Sequence, residues 1–550
     1  MRFLIACAFL AAAAPAAASP LGSFPIWTQF GQSTSFYGAS VSRVGDVNGD
    51  GYDDVAIGAK FYDNGQTDEG GAWLYLGSPA GPDTTADWHV EGNQSGAQMG
   101  FAVAGAGDVN HDGFDDLLIG TPGANRAQLH LGSAAGPALT PSWFSVACCS
   151  YGNAVATAGD VNADGFDDVI IGGVNGGTAV EGIAQVFHGS ATGLGSIPAA
   201  ILEGNQDFAR LGFSVAAAGD VNGDGFADVI VGAPDFSNGE FQEGKAVVYH
   251  GSAAGVSLTP AWTVESDQPD TYLGISVAGA GDVNRDGYGD VIAGANWWSQ
   301  GVSNDDGRAT VYLGSPAGLA TTPVFTTYGT NSELGFSVDS AGDLNADGYD
   351  DIVVGVPHYH SGQPYEGASL VFLGSANGPS PAPDWIAELN LETSHLGQCS
   401  AGAGDVNGDG FDDLVLGAPY SHCPPPPGFP PCGPIPAFAV IYLGQATEVA
   451  TPDAAPPPPA ALALRVAPNP FAHATWIEYA LSAPASVGLH LFDAAGRARA
   501  VLVSGRAETG PHTITFDGRD SAGDRLVPGV YFLQLTAGDH TAVEKLIVIR

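Results

Sequence analysis

The sequence predicts an all-β chain: a seven-bladed β-propeller followed by a small β-sandwich. Three observations predict it. An acidic loop, Asp-x-Asn-x-Asp-Gly-aromatic-x-Asp, recurs seven times at intervals of 62, 52, 60, 62, 61 and 62 residues, and a fixed period of this size marks a repeat architecture. Each repeat divides into four short β-type segments separated by glycine turns. Residues 462–550 lose the loop and alternate apolar with polar positions instead.

The strands of a repeat follow in order. The first has the form Gly-x-Ser-Val-Ala and runs into the acidic loop. The second is a continuous apolar run, as at Asp228–Gly232, and reads as a strand buried on both faces. The third has the form of Ala309–Gly314, and the fourth surrounds a tryptophan: Trp88, Trp143, Trp262 or Trp385. Four strands taken seven times describe a closed propeller without exposed sheet edges. Trp27 precedes the first repeat and no such strand follows Tyr442. The Trp27 strand is therefore predicted to complete the last blade and close the ring.

The acidic loop has the donor set of a calcium site. Position 1 is Asp46, Asp108, Asp160, Asp220, Asp282, Asp343 and Asp405. Position 3 is Asn48, Asn110, Asn162, Asn222, Asn284, Asn345 and Asn407, and position 5 is Asp50, Asp112, Asp164, Asp224, Asp286, Asp347 and Asp409. Position 9 is Asp54, Asp116, Asp168, Asp228, Asp290, Asp351 and Asp413. Position 7 offers the backbone carbonyl of Tyr52, Phe114, Phe166, Phe226, Tyr288, Tyr349 and Phe411. Hard divalent cations take all-oxygen sets, and calcium tolerates irregular ones better than magnesium does. The EF-hand reading fails, because that loop needs Glu at position 12 and this chain has Ile57, Ile119, Ile171, Val231, Ala293, Val354 and Leu416. Position 8 varies, from Asp53 to Ala227 and Gly289, as expected of a residue outside the ligand set. Up to seven structural calcium ions are the expected cofactor. Extracellular modules bind calcium at about 10⁻⁴–10⁻³ M, so about 1 mM calcium supplies roughly 0.4–1.4 kcal/mol per site.

The formal net charge is −43, and the loops account for 21 of the 59 Asp and Glu residues. Such an excess excludes nucleic acid and anionic membrane as natural partners. Residues 1–19 read as a secretory signal: Arg2, an apolar Phe3–Ala14, then small residues at Ala16–Ala18. No later segment is long and apolar enough to span a membrane. A secreted or cell-surface location is expected, where calcium is available. Cys423 and Cys432 flank a proline-rich stretch and are the expected disulfide of an oxidising compartment. Cys148, Cys149 and Cys399 receive no pairing.

Strand parity separates two faces. The acidic loop (strand one to two) and the Gly-Ser-x-x-Gly turn (three to four) share one face. The two-to-three and four-to-one connections share the other. The two-to-three loops carry Phe61 and Tyr62; Phe236 and Phe241; Trp297 and Trp298; His358, Tyr359, His360 and Tyr365; Tyr420 and His422. Variable aromatic loops on a rigid scaffold are where binding concentrates. These aromatics suit a protein hot spot or a sugar ring, with Trp297 and Trp298 foremost.

The repeats resemble FG-GAP repeats, the family that builds the integrin α-subunit propeller. The matching residues are Phe213 after Gly212, the loop Asp220–Asp228, and Gly232-Ala233-Pro234, repeated at Gly417-Ala418-Pro419. The signature decays to Gly58-Ala59-Lys60 and Gly294-Ala295-Asn296. The resemblance covers residues 24–445 of a propeller domain spanning 20–449, and it implies an extracellular calcium-bound propeller used for adhesion to a protein or glycan. Integrin signalling is not part of the expectation.

Residues 450–461 form a Pro/Ala-rich linker. Beyond it, Ile477–Leu481, Val487–Phe492 and Gly529–Leu535 alternate as strands of an antiparallel sandwich. This domain resembles the C-terminal Ig-like sorting domains of secreted bacterial proteins, related to the flagellar hook-cap Ig-like family. The resemblance rests on Pro468-Asn469-Pro470-Phe471, Phe516-Asp517-Gly518-Arg519-Asp520, Pro528-Gly529-Val530-Tyr531-Phe532 and Lys545-Leu546-Ile547-Val548. It implies export or surface-attachment machinery as a partner, with a plain spacer module as the alternative. No serine nucleophile elbow or zinc-protease motif is present in the sequence, and a non-catalytic protein is expected. The alternative is a polysaccharide-active lyase or hydrolase assembled from several blades without a linear motif.

Overall fold

A computed structural model describes residues 19–22, 25–32, 34–148, 150–175, 181–299, 305–361, 364–389, 391, 393–420, 437–446, 464–467, 475–481, 485–493, 497–507, 510–516, 518–521, 525–527, 529–537 and 540–548. The predicted signal residues before Ser19, the linker, Cys149, His422, Cys423 and Cys432 lie outside the described residues. The chain divides into two compact units, Met1–Val449 and Ala450–Arg550.

In the first unit, strand one is half-open. In the first blade, Tyr37–Gly45 alternates buried and accessible positions. Strand two is different: Asp54–Ala59 is buried at every residue, as are all six equivalents, matching the continuous apolar run. Strands three and four complete each sheet in sequential antiparallel order. Seven four-stranded sheets result, the architecture of a seven-bladed propeller. Blades 1 to 6 span residues 37–91, 102–146, 151–203, 214–265, 276–328 and 338–387, and blade 7 takes residues 399–442. The fourth strand of blade 7 is Trp27–Phe30, paired with Phe438–Tyr442 in the register Trp27↔Ile441 to Phe30↔Phe438. The ring thus closes as the Trp27 argument requires.

Among the described residues of this unit, the buried apolar side chains form seven separate clusters, each joining two neighbouring blades, in place of one central core. The fourth-strand tryptophans work at these boundaries. Trp27 meets Tyr75 of blade 1 edge-on at 4.7 Å, Trp88 meets His130, Trp143 meets Phe187, Trp262 meets Tyr312, and Trp385 meets Tyr442. Phe325 takes the same place against Phe372. Ala200 stands where the third blade would carry its aromatic. Edge-to-face pairs add about 0.5–1.5 kcal/mol beyond their buried area.

Glycine sets how closely blades approach. A Cβ on Gly232 would fall inside 3.0 Å of the carbonyl oxygen of Gly274, and the other six glycines of this position face the equivalent carbonyl in the same way. Backbone cannot yield as a side chain can. Gly232→Ala is expected to force blades 4 and 5 apart at a cost of about 1–3 kcal/mol or more; a melting temperature within a degree of wild type would contradict this.

The second unit holds two antiparallel sheets. One orders Leu464–Ala467, Thr475–Leu481 and Gly510–Phe516; the other orders Ala498–Ala507, Ala485–Asp493, Gly529–Ala537 and His540–Val548. Ile477 and Tyr479 of the first share one apolar core with Leu489, Leu491, Leu533 and Leu535 of the second. No helix among the described residues is long and apolar enough to cross a membrane.

Candidate functional site

The seven acidic loops sit at the turn from strand one to strand two, and their fold follows from position 1. In the first loop, Asp46 accepts the backbone N–H groups of Gly49 and Asp50 on Oδ1 and of Gly51 on Oδ2, at 2.7, 3.0 and 2.7 Å. Asn48 Oδ1 accepts from Asp50 N, and Asp50 Oδ1 accepts from Tyr52 N. Gly51 takes φ +90°, a conformation glycine adopts without strain. These bonds curl positions 1, 3 and 5 around one centre.

Position 9 closes the loop from below. Asp54 is fully buried. Its Oδ2 accepts from Val47 N at 3.0 Å, and its Oδ1 from Gly77 N at 2.8 Å. Burial pushes its pKa up to about 7; the two backbone donors oppose the shift, and the charges of Asp50 and Asp46 add to it. Asp116, Asp168 and Asp290 are likewise pushed to about 7, Asp228 to about 6, and Asp351 and Asp413 to about 8. A buried carboxylate set against two more acids fits an oxygen-bound divalent cation, which would favour the charged form. The donors for it would be the side chains of positions 1, 3, 5 and 9 and the carbonyl of position 7.

Position 8 has a role that sequence reasoning missed. Asp115 Oδ2 accepts the N–H of Asp46, the first residue of the preceding blade's loop, at 2.9 Å. Asp167 does the same for Asp108, Asp350 for Asp282, Asp412 for Asp343 and Asp53 for Asp405. The residue lies outside the loop's own donor set yet ties neighbouring loops together. Its signal was an Asp in five of seven copies. Ala227 and Gly289 cannot make the link with a side chain.

The two faces separate as strand parity predicts. Gly77, in the three-to-four turn, bonds to the acidic loop through Asp54. The two-to-three loops bridge instead to the four-to-one loops, through Gly70↔Met99, Gly182↔Leu211, Gly244↔Leu273, Gly307↔Leu334 and Gly367↔Leu396. Buried acids, also missed, organise these loops. Glu69 accepts Asn64 N and Gln66 N on Oε1 and Asn93 N on Oε2.

The aromatic residues of that face divide into two groups. Four are packed. Tyr62 lies edge-on to Trp73, and Phe236 lies under the Lys245 ammonium at 3.8 Å. Trp298 tilts over Tyr328 at 4.6 Å, and Tyr359 packs on the core between blades 5 and 6. Others reach solvent: Phe241 is 66% exposed, Tyr365 43%, Trp297 41% and Tyr420 37%. The Trp297-Trp298 pair is thus split: Trp297 reaches solvent and Trp298 is half-buried.

Several of these residues join in an arc across blades 6, 7 and 1. His360 meets Tyr365 at 4.7 Å, and Tyr365 stacks on His395. His395 meets Tyr420 at 5.1 Å, Tyr420 meets Phe36 at 4.6 Å, and Phe36 meets Phe61 at 5.0 Å. Lys60 lies over Phe36, Phe61 and Phe101. His358 joins from the side, with Nδ1 3.3 Å from Glu333 Oε1. Burial, aided by His358, pushes His395 down to about 4, so its ring is neutral at physiological pH. Phe36 and His395 come from the four-to-one side, both at positive φ, and the sequence reading, confined to two-to-three loops, passed over them.

The FG-GAP repeat family matches residues 37–75, 99–136, 211–249, 335–372 and 400–428. These matches fall on five of the seven blades. The chain is similar to integrin alpha-5 of Xenopus laevis, 30% identical over 210 residues that cover 36% of this chain and 20% of the relative. It is also similar to integrin alpha pat-2 of Caenorhabditis briggsae, 32% identical over 276 residues, 45% of this chain and 22% of the relative. The chain spans about a fifth of the length of these curated relatives. Among solved structures, PorZ, a bacterial surface component of the type-IX secretion system of Porphyromonas gingivalis, aligns over 90% of this chain and 58% of its own at 13% identity; its TM-score of 0.34 carries no argument.

Proposed function

We propose that this protein is a secreted or surface-displayed adhesion propeller, non-catalytic, which holds calcium in its acidic loops and binds a protein or glycan on the opposite face. The observation that carries the binding role is the aromatic arc from His360 through Tyr365, His395 and Tyr420 to Phe36 and Phe61. Rings from three blades, fixed by one another, lose little side-chain freedom on binding, which favours affinity. Lys60 at one end adds a positive charge beside the rings, suited to an acidic group on the ligand. Calcium keeps the blades in register beneath. The extracellular setting rests on the signal-like Met1–Ser19, and the integrin relatives agree with it. The second unit serves export or surface attachment, on its resemblance to sorting domains.

The test is binding of the full-length protein to glycan and matrix-protein arrays, in calcium and in EDTA. Tyr365→Ala combined with Tyr420→Ala is expected to reduce binding at least tenfold, and Trp297→Ala much less. Equal binding by the double variant would remove the arc from the reading. A product released from a polysaccharide panel would replace adhesion by carbohydrate chemistry.

A further inference from the structure

Blade 4 differs from blades 1 and 3 at one place on the ligand face. In blade 1, the loop frame is electrically modest. Asn64 donates its backbone N–H to Glu69 and its amide to Glu91, at 2.7 and 2.8 Å. Asn93 then donates its backbone N–H to Glu69 Oε2 and its amide to the carbonyl of Glu91, at 3.1 and 3.0 Å. In blade 3, Asn205 donates to the Glu203 carbonyl in the same way. Blade 4 repeats the frame with Asn238, Glu243 and Glu265, and Asn238 bonds to both acids. The third position, however, is Asp267, at the same positive φ as Asn93. An aspartate accepts where asparagine donates.

The result is three carboxylates, each with an oxygen within 4.8 Å of the others. Glu243 is fully buried. One of its oxygens accepts backbone N–H groups of Asn238 and Glu240, but Oε2 is buried without a hydrogen-bond partner. A buried charged acceptor left unsatisfied is unfavourable unless an ion or proton compensates it. Lys245, paired in register with Glu265, holds its ammonium over the ring of Phe236 at 3.8 Å. We infer that Glu243, Glu265 and Asp267 form a second kind of divalent-cation site, distinct from the acidic loops and on the opposite face. Oxygens up to 4.8 Å apart can share one calcium ion at about 2.3–2.6 Å from each. Glu265 is half-buried and Asp267 exposed, so water completes the shell from the open side.

The experiment is flow dialysis of the full chain against radioactive calcium at millimolar concentration. Wild type is compared with Asp267→Asn, which restores the residue of Asn93 and Asn205, and with Asp220→Ala in the acidic loop of the same blade. Asp267→Asn is expected to bind one ion fewer than wild type, with an undiminished melting temperature in EDTA. Equal stoichiometry in wild type and Asp267→Asn overturns the site. Asp220→Ala reports on the loops separately: if it loses no ion while Asp267→Asn loses one, the loop reading fails and this site stands.

Discussion

Excess EDTA is expected to lower the melting temperature of the propeller by several degrees. Seven sites filled at about 1 mM calcium supply roughly 3–10 kcal/mol in total. With an unfolding entropy of about 2.1 cal/mol/K per residue over about 430 residues, the shift is roughly 3–11 °C. The structural reason is the position-9 acid. Asp54 and its equivalents are buried, six against two loop carboxylates and Asp228 against Asp224 alone, and burial holds their pKa at about 6 to 8. The sign of the pH effect follows. The unfolded chain releases these protons near pH 4, whereas the cation-free folded chain keeps them up to about pH 7. Folding in EDTA is therefore favoured at low pH and weakens as pH rises through the folded pKa values. With calcium bound, the carboxylates stay charged and this dependence flattens. Differential scanning calorimetry from pH 5 to 8, with and without EDTA, measures both effects. A melting temperature indifferent to EDTA at pH 8 would end the structural-calcium reading.

The second large effect is at the ring closure. Trp27→Ala removes a buried indole that meets Tyr75 edge-on and donates Nε1–H to the Asp83 carbonyl at 2.8 Å. Deleting such a side chain costs about 3–5 kcal/mol. Trp262 makes the equivalent contacts, with Tyr312 and with the Ala320 carbonyl, so the equilibrium cost of Trp262→Ala is similar. The consequences differ because of connectivity. The strand carrying Trp262 follows its sheet neighbour directly, whereas Trp27–Phe30 reaches Phe438–Tyr442 from the far end of the chain. Its short covalent link runs to Tyr37 of blade 1 and not to its own sheet, so once loosened it stays attached to blade 1 while blade 7 loses its outer strand. Hydrogen exchange at residues 438–442 is expected to accelerate in Trp27→Ala far more than exchange at residues 245–249 does in Trp262→Ala. Similar acceleration in the two variants would show that connectivity does not matter here.

Much of the fold was legible because it is periodic. The loop from Asp46 to Asp54 is written seven times, and the apolar run after it can only be a doubly covered strand. Even the closure was readable, since Trp27 stood as a fourth strand without a sheet. The candidate ligand face was legible only in part. Phe241, Trp297, Tyr365 and Tyr420 reach solvent as expected, but local sequence could not tell Trp297 from Trp298. What holds Trp298 down is contact with Tyr328, a residue of strand four of its own blade. The arc escaped for a similar reason. Phe36, Tyr420 and His395 are far apart in sequence and become neighbours only when blade 7 meets blade 1. Position 8 looked idle because its partner lies one blade away.

Position 8 lacks its acid at two boundaries, and one of these also lacks the aromatic pair. At the junction of blades 3 and 4, Ala227 supplies no carboxylate to the N–H of Asp160, and Ala200 supplies no aromatic ring opposite Tyr249. Backbone links remain, Ala227 N to Asp160 O and Ser252 N to Val161 O at 3.1 and 3.0 Å, and Asn153 Nδ2 donates to the Phe213 carbonyl at 3.2 Å, over a mostly aliphatic layer that includes Tyr249. The covalent gap in the ring is clasped by Asp53 and Trp27, whereas the junction of blades 3 and 4, which the chain itself crosses, has neither clasp: the side-chain seal is strongest where the covalent one is missing.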